Sequence, residues 1–415
     1  MGEKSILHIS NVAGRLGGGI SQVVQSFVYY QNHLKYNSEL WFMGDSETIE
    51  EISNDTGIQK ESLKAIKRFF GIRNLISPFF FCKIGFVSKR FDIIHQHGVF
   101  LPISLFTLFQ KNNIKKIISP HGLLEPEKMK VSKYKKCLAM FLFEKINLKK
   151  CHCIIACSRQ EAVHLKKMKL SKPIAILPNG VDDSFVKKKN FNVVDIDFKE
   201  KNKINLNTKI LLFLSRVHPF KGLKLLIKSI KKIEKEFRKK NWILVIAGPD
   251  ELGHQNELNE LIVKYKIIDL VKFVGPQYGI NKKNAIDSAE CMILPSKGEN
   301  FGIVVIESLA RGVPVITTTN TPWDELEKNN CGWWIERNED KISSTLIKLI
   351  SLDKNKLKKM GYNGINLVKK KYVWSEITKT SLNIYKWVLS DFNKKYLKGF
   401  MGFNANTKRP LLKEF

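Results

Sequence analysis

Glu299 and Glu307 bracket the sequence Asn300-Phe301-Gly302-Ile303-Val304-Val305-Ile306, which passes from a polar loop into an apolar helix. The reading places Glu299 in the loop and Glu307 about two turns into the helix. Two carboxylates around one helix start are unfavourable unless they hold something. The helix N-terminus adds unpaired N–H groups and a partial positive charge. Acceptors for hydroxyls and donors for anionic oxygens in one place suit a molecule with both, such as a nucleotide sugar. Eight residues at about 100° each leave the two acids about 80° apart even on an unbroken helix. A matched acid/base couple is therefore a poor description, and separate tasks fit better.

Complementary cations lie about 80 residues earlier, in Arg216-Val217-His218-Pro219-Phe220-Lys221-Gly222. A strand ends, a loop carries Arg216 and Lys221, and a helix starts near Gly222. Two cations at a helix N-terminus oppose its dipole, but they gain if a diphosphate sits between them. Gly17-Gly18-Gly19 joins the first strand-like run to the first helical one. Glycines there let backbone N–H groups approach a ligand closely. The pattern is not G-x-G-x-x-G, and no GK[ST] follows, so dinucleotide and P-loop recognition are not supported. His121 follows a strand-like run in Ser119-Pro120-His121-Gly122, where an imidazole can meet a sugar hydroxyl or help move a proton. His95 and His97, at the preceding strand end, compete for that role. Cys151-His152-Cys153 with Cys157 has the look of a metal cluster, but alternation along a strand makes buried structural cysteines the better account. Asp195-Ile196-Asp197 has D-x-D spacing, in a polar setting that does not favour a metal site.

Positioning these groups takes two alternating arrays of strands and helices. In the first half, short apolar runs at Ser5–Asn11, Ile93–His95, Ile117–Ser119, Ile154–Ala156 and Ile174–Leu177 alternate with helical patterns such as Ile20–Asn32 and Tyr134–Leu148. Such alternation predicts a parallel sheet with helices on both faces. A second array runs through Ile210–Ser215, Trp242–Ala247, Val271–Val274, Cys291–Pro295, Val313–Thr317 and Trp333–Ile335. The expected organisation is an α/β, doubly wound domain over residues 1–186 and a linker over 187–207. A second such domain follows over 208–373, then a terminal helix over 374–393 and a basic tail over 394–415. Tandem doubly wound domains bind ligand at the carboxyl ends of their strands.

With 415 residues, two domains are the default. No apolar run reaches the ~18 residues of a membrane span. The strand-like run from Ser5 leaves no room for a signal peptide, and seven cysteines without framework spacing suit a reducing cytoplasm. The net charge is +31, and residues 60–150 alone hold 19 basic and 5 acidic side chains. That segment also contains Arg68-Phe69-Phe70 and Pro78-Phe79-Phe80-Phe81. Basic residues interleaved with large apolar ones read as a surface for anionic lipid. Nucleic acid would use the same charge, but no nucleic-acid motif accompanies it.

Taken together, these elements resemble the retaining glycosyltransferases of family 4, and the resemblance spans almost the whole chain. It rests on the glycine loop, SPHGLLEP at Ser119–Pro126, PNGVD at Pro178–Asp182, SRVHPFKG at Ser215–Gly222, AGPD at Ala247–Asp250 and ENFGIVVIE at Glu299–Glu307. Thr321–Leu326 and Cys331–Trp334 are similar to a subgroup of bacterial surface-polysaccharide pathways. The resemblance implies the GT-B fold, two Rossmann-like domains facing a central cleft, with the terminal helix returning to the first. It implies transfer of a sugar from a nucleotide-sugar donor to a lipid-linked or polysaccharide acceptor at the cytoplasmic membrane face, with retention by front-face displacement. His121, Glu299, Arg216 and Lys221 would be catalytic. Donor contacts would come from Gly18, Gly19, Arg216, Lys221, Val274, Asn300, Phe301, Gly302, Ile303 and Glu307. Arg216 and Lys221 would neutralise the diphosphate in place of a metal, so neither cofactor nor metal is expected. Glu307 would hold the ribose, and Glu299 and His121 the sugar. Arg159 stands where relatives commonly carry an acid after a Ser, so contacts there are not carried over. Two other readings remain: a nucleotide-sugar epimerase, also built on two Rossmann domains, and a non-catalytic basic scaffold for membrane or nucleic acid.

Overall fold

The computed structural model describes residues 4–66, 87, 90–111, 113–186, 196–393 and 401–403. The aromatic runs at 68–70 and 78–81, Asp195 of the D-x-D, and most of the basic tail lie outside them. The chain divides into two compact units, Met1–Gly180 with Trp374–Phe415, and Val181–Val373.

The first unit is built on a sheet of β1 (Ser5–Ser10), β2 (Asn37–Met43), β3 (Leu63–Ile66), β4 (Ile93–His97), β5 (Lys115–Ser119), β6 (Cys153–Ala156) and β7 (Ile174–Ile176). The second has β8 (Lys209–Leu214), β9 (Trp242–Ala247), β10 (Val271–Gly275), β11 (Cys291–Leu294), β12 (Val315–Thr318) and β13 (Gly332–Ile335). A last strand, β14 (Met401–Phe403), pairs antiparallel with β7. The strand orders are β14-β7-β6-β5-β4-β1-β2-β3 and β10-β9-β8-β11-β12-β13. Apart from β14, all pairings are parallel. Strands such as Lys209-Ile-Leu-Leu-Phe-Leu214 are almost continuously apolar because helices cover both sheet faces. Each sheet reverses its strand order once, between β1 and β4 and between β8 and β11. Ligands of doubly wound sheets bind outside the carboxyl ends at that reversal.

Alternation sorts β1 into two faces. Leu7 and Ile9 pack with Trp41, Met43 and Phe106 in one core cluster. His8 points the other way, where its ring stacks on Phe27 of helix Gly18–His33. The terminal helix Trp374–Leu389 covers the same side, with Trp374 5.0 Å from Phe27 between ring centroids. Tyr385 of that helix hydrogen-bonds His95 at 2.7 Å.

Two expectations change. The boundary between the units falls at Gly180/Val181, not 186. Part of the expected linker is a structured piece of the second unit, because Ile196–Lys201 is helical with Phe198 buried. Lys199 is also buried and donates to the carbonyls of Leu206 and Thr208 at 2.9 and 2.7 Å. Lysine-rich composition reads as linker, yet one lysine here ties the segment down through its head group.

Candidate functional site

In the second unit, the loops after β8 and β11 meet at the strand-order reversal. Lys221 Nζ lies 2.6 Å from Glu299 Oε1, with both side chains nearly buried. Ser296 Oγ donates to the same oxygen at 2.7 Å. The amide of Lys297 donates to the carbonyl of Phe220 at 2.9 Å, joining the two loops through backbone. Gly222 permits this approach: its φ is +82°, and a Cβ there would stand 2.1 Å from the carbonyl oxygen of Pro295. An L-residue would be strained by conformation and blocked by backbone.

Gly302, at φ +81°, starts helix Ile303–Ala310. Glu307 therefore sits just over one turn into the helix rather than two, because the loop continues through Gly302. Phe301 is buried, with its ring 5.0 Å from Trp323, whose indole N–H donates to the Phe301 carbonyl. Its side chain anchors the loop, and Ile303 is half-buried behind it. Glu307 is also buried, and its Oε1 accepts from Lys282 Nζ at 2.6 Å. Its Oε2 is buried without a hydrogen-bond partner. Such an orphaned acceptor is costly and calls for a donor. Lys282, on helix Gly279–Asp287, has no motif to mark it in sequence.

Arg216 is more exposed, and its Nη1 lies 2.8 Å from both carboxylate oxygens of Glu251. It is not drawn to Glu299 as Lys221 is. Val274 lies on β10, two strands away from β8, and its carbonyl accepts from Gln277 Nε2 at 2.9 Å. Asn300 lies in the loop between Glu299 and Phe301, half-buried.

The first unit gathers a different set. His121 follows β5 with φ +51°, a left-handed conformation uncommon outside glycine but one that histidine tolerates better than most. Glu161, buried in helix Arg159–Lys167, accepts from the amides of Gly122 at 2.6 Å and Cys157 at 2.8 Å. One carboxylate thus clamps the turn that carries His121 to the start of the next helix. Burial pushes the Glu161 carboxyl up. Glu161 stands two positions after Arg159, and nothing in the local sequence marks it as the clamp. His121 Nε2 contacts His97 Nδ1 at 2.9 Å. His95 and His97 are fully buried, so they stand behind His121 rather than competing with it. Burial, with Lys128 adding to it, lowers His121 to about 4.

Gly18 has φ +57° and, with Gly19, is exposed at the start of helix Gly18–His33. Arg15 beside them donates its amide to Glu51 and its guanidinium to Asp55 at 2.9 and 2.8 Å. Gly18, Glu51 and Asp55 line one small concavity. Cys151, Cys153 and Cys157 are buried, and burial pushes the Cys151 thiol up to about 12. Cys151 Sγ donates to the Leu148 carbonyl at 3.1 Å. It precedes β6, so it does not share a strand face with Cys153.

Residues 17–185 match the model described as Glycosyltransferase Family 4, and residues 194–367 that of Glycosyl transferases group 1. The chain belongs to glycosyltransferase family 4. An uncharacterised glycosyltransferase of Methanocaldococcus jannaschii is 30% identical over 193 residues, 46% of this chain and 48% of that relative. Other curated relatives align over about a quarter of their length. An uncharacterised 41.2 kDa protein in the cps region of Klebsiella pneumoniae is 26% identical over 75% of this chain and 80% of that protein. Anabaena HepE in complex with UDP-glucose superposes with a TM-score of 0.72 at 15% identity, over 92% of this chain and 99% of that one. These likenesses to solved structures establish the GT-B fold for this family-4 chain, whose two sheets both have the doubly wound order.

Proposed function

We propose that this family-4 chain transfers a sugar from a nucleotide-sugar donor to a lipid-linked or polysaccharide acceptor with retention. The observation that carries the reading is the paired arrangement at the β8/β11 reversal: Lys221 with Glu299, and Lys282 with a Glu307 that keeps one buried acceptor unfilled. Lys221 exchanges its carboxylate for the donor diphosphate, which frees Glu299 to accept from sugar hydroxyls. Arg216 leaves the exposed Glu251 pair to help balance the phosphates, so these two cations do the work of a metal. A ribose hydroxyl donates to Glu307 Oε2. The bond between the anomeric carbon and the phosphate oxygen breaks, and the acceptor oxygen forms the new glycosidic bond on the same face. The acceptor proton passes to the departing phosphate. His121 accepts from a donor-sugar hydroxyl. At Gly18 and Gly19 the acidic neighbours Glu51 and Asp55 favour hydroxyls over phosphate, which supports an acceptor role there.

Membrane attachment is part of the reading. Helical sequence from Lys133 to Lys150, with a π-helical segment at Met140–Glu144, exposes Tyr134, Leu138, Phe141 and Leu142. Lys133, Lys135, Lys136, Lys145, Lys149 and Lys150 accompany them. Apolar anchors amid lysines suit an anionic bilayer surface at the cytoplasmic face. Among the described residues, no helix is long and apolar enough to cross a membrane. The Klebsiella relative from a cps region supports a polysaccharide pathway.

A nucleotide-sugar screen with mass analysis of an acceptor library tests the reading. Glu307→Ala and Lys221→Ala should abolish transfer while the variants stay folded. Full transfer in either would sink it. An epimerised sugar released from donor alone would point to the epimerase instead.

A further inference from the structure

Four histidines in the first unit share more hydrogen bonds than a plain core needs. The register pairs His8 with His95 and Ser10 with His97 across β1 and β4. Alternation then turns His8, His95 and His97 to one sheet face. Ligand atoms of these three lie within 4.8 Å of one another, which would suit a metal. Their ring nitrogens are otherwise engaged, however. His8 Nδ1 meets His97 Nε2 at 2.9 Å, and His8 Nε2 meets Gln31 Oε1 at 2.9 Å. His97 Nδ1 meets His121 Nε2 at 2.9 Å. His95 is held by Tyr385 and Ser119, both at 2.7 Å.

The proton positions along this chain can be deduced. Ser381 Oγ spends its one proton on the Thr378 carbonyl at 2.8 Å. Toward Gln31 it can only accept, so the Gln31 amide nitrogen faces Ser381 at 3.4 Å. The Gln31 oxygen therefore faces His8 and accepts from His8 Nε2–H. A neutral His8 then has a bare Nδ1, which accepts from His97 Nε2–H. His97 in turn has a bare Nδ1, which accepts from His121 Nε2–H. The outcome is a neutral His121 whose Nδ1 carries a lone pair.

We infer that Gln31, His8 and His97 are positioning residues that hold His121 in its Nε2–H tautomer, presenting Nδ1 as a hydrogen-bond acceptor. Burial keeps the chain neutral, lowering His8 and His121 to about 4 and His97 well below the usual range. An imidazolium at His8 or His97 would set two donors against one another, while burial disfavours one at His121. The chemistry served is acceptance from a sugar hydroxyl, so the inference rests on the proposed role of His121.

Selective nitrogen-15 labelling of histidine and long-range proton–nitrogen correlation at pH 7.5 test it on the full chain. Expected are protonated Nε2 and bare Nδ1 on His8, His97 and His121. A protonated Nδ1 on His121 would overturn it. Gln31→Leu removes the anchoring oxygen far along the chain from His121. It should turn the His121 signal into a tautomer average and lower kcat about tenfold with donor KM unchanged. An unaltered His121 signal in a folded Gln31→Leu protein would refute the relay, and the wild-type spectrum still decides if that variant fails to fold. Unchanged transfer in His121→Phe would instead refute the catalytic role of His121, leaving the spectra as they are.

Discussion

Lys282 shows how a site residue escapes sequence reading. It sits in a helix of ordinary polar composition, yet its head group is the partner of Glu307. A buried carboxylate left unpaired costs several kcal/mol in effective terms, less where the partner is partly exposed as here. Lys282→Met should therefore destabilise the protein by about 2 kcal/mol and weaken nucleotide binding about tenfold. Adding Glu307→Gln should recover part of the stability, since the unpaired charge is then gone. A double-mutant cycle in urea and in donor titration checks this. Strict additivity would show that the two side chains do not act as a pair. By contrast, Glu299 and Lys221 were readable as chemistry-bearing residues because each lies in a loop next to a strand end. That they touch was not readable, because 78 residues and three crossovers separate them.

At the scale of elements, the Lys133–Lys150 helix carries the membrane proposal. Tyr134, Leu138 and Phe141 recur at helical spacing, and all are strongly exposed. Helical residues normally turn such a stripe inward. Phe141→Ser with Leu138→Ser should lower partition onto anionic vesicles by an order of magnitude while leaving donor binding unchanged. Vesicle sedimentation at low and high salt measures it. Retained binding that fades only with salt would assign the attachment to lysines alone. The Arg216–Gly222 loop is the other informative element. Its glycine caps the start of helix Leu223–Lys232, as expected, and also permits close backbone passage beside Pro295.

For the whole molecule, the buried histidines set an acid limit. His8 falls from 6.5 to about 4 on folding, so the unfolded chain binds its proton first. Stability is then full above about pH 6.5 and is lost as pH falls toward 4, by on the order of 3 kcal/mol for this one group. His95, His97 and His121 act in the same direction. Glu144 and Glu161, raised by burial, act oppositely, since their contribution is present below pH 4.5 and lost above their folded values. His152 and His164 are lowered as well, and with six histidines against two carboxylates the urea midpoint should drop steeply between pH 6.5 and 5. A flat profile across that window would contradict the buried neutral chain.

Alternating apolar runs and loop glycines were sufficient for two doubly wound domains, because period and punctuation are local properties of a chain. The loop positions of Glu299, Lys221, Arg216 and His121 were readable for the same reason. The extent of the linker was misjudged because a buried lysine, Lys199, and a solvated one look alike in sequence. Only tertiary structure could place β1 beside β4, and that single adjacency stacks His8, His95 and His97 behind His121. It also decided that Lys221 meets Glu299 and that Lys282 meets Glu307. Hydrogen bonds and ion pairs act over a few ångströms, and strand order, which brings distant segments that close, is settled by the packing of the whole sheet.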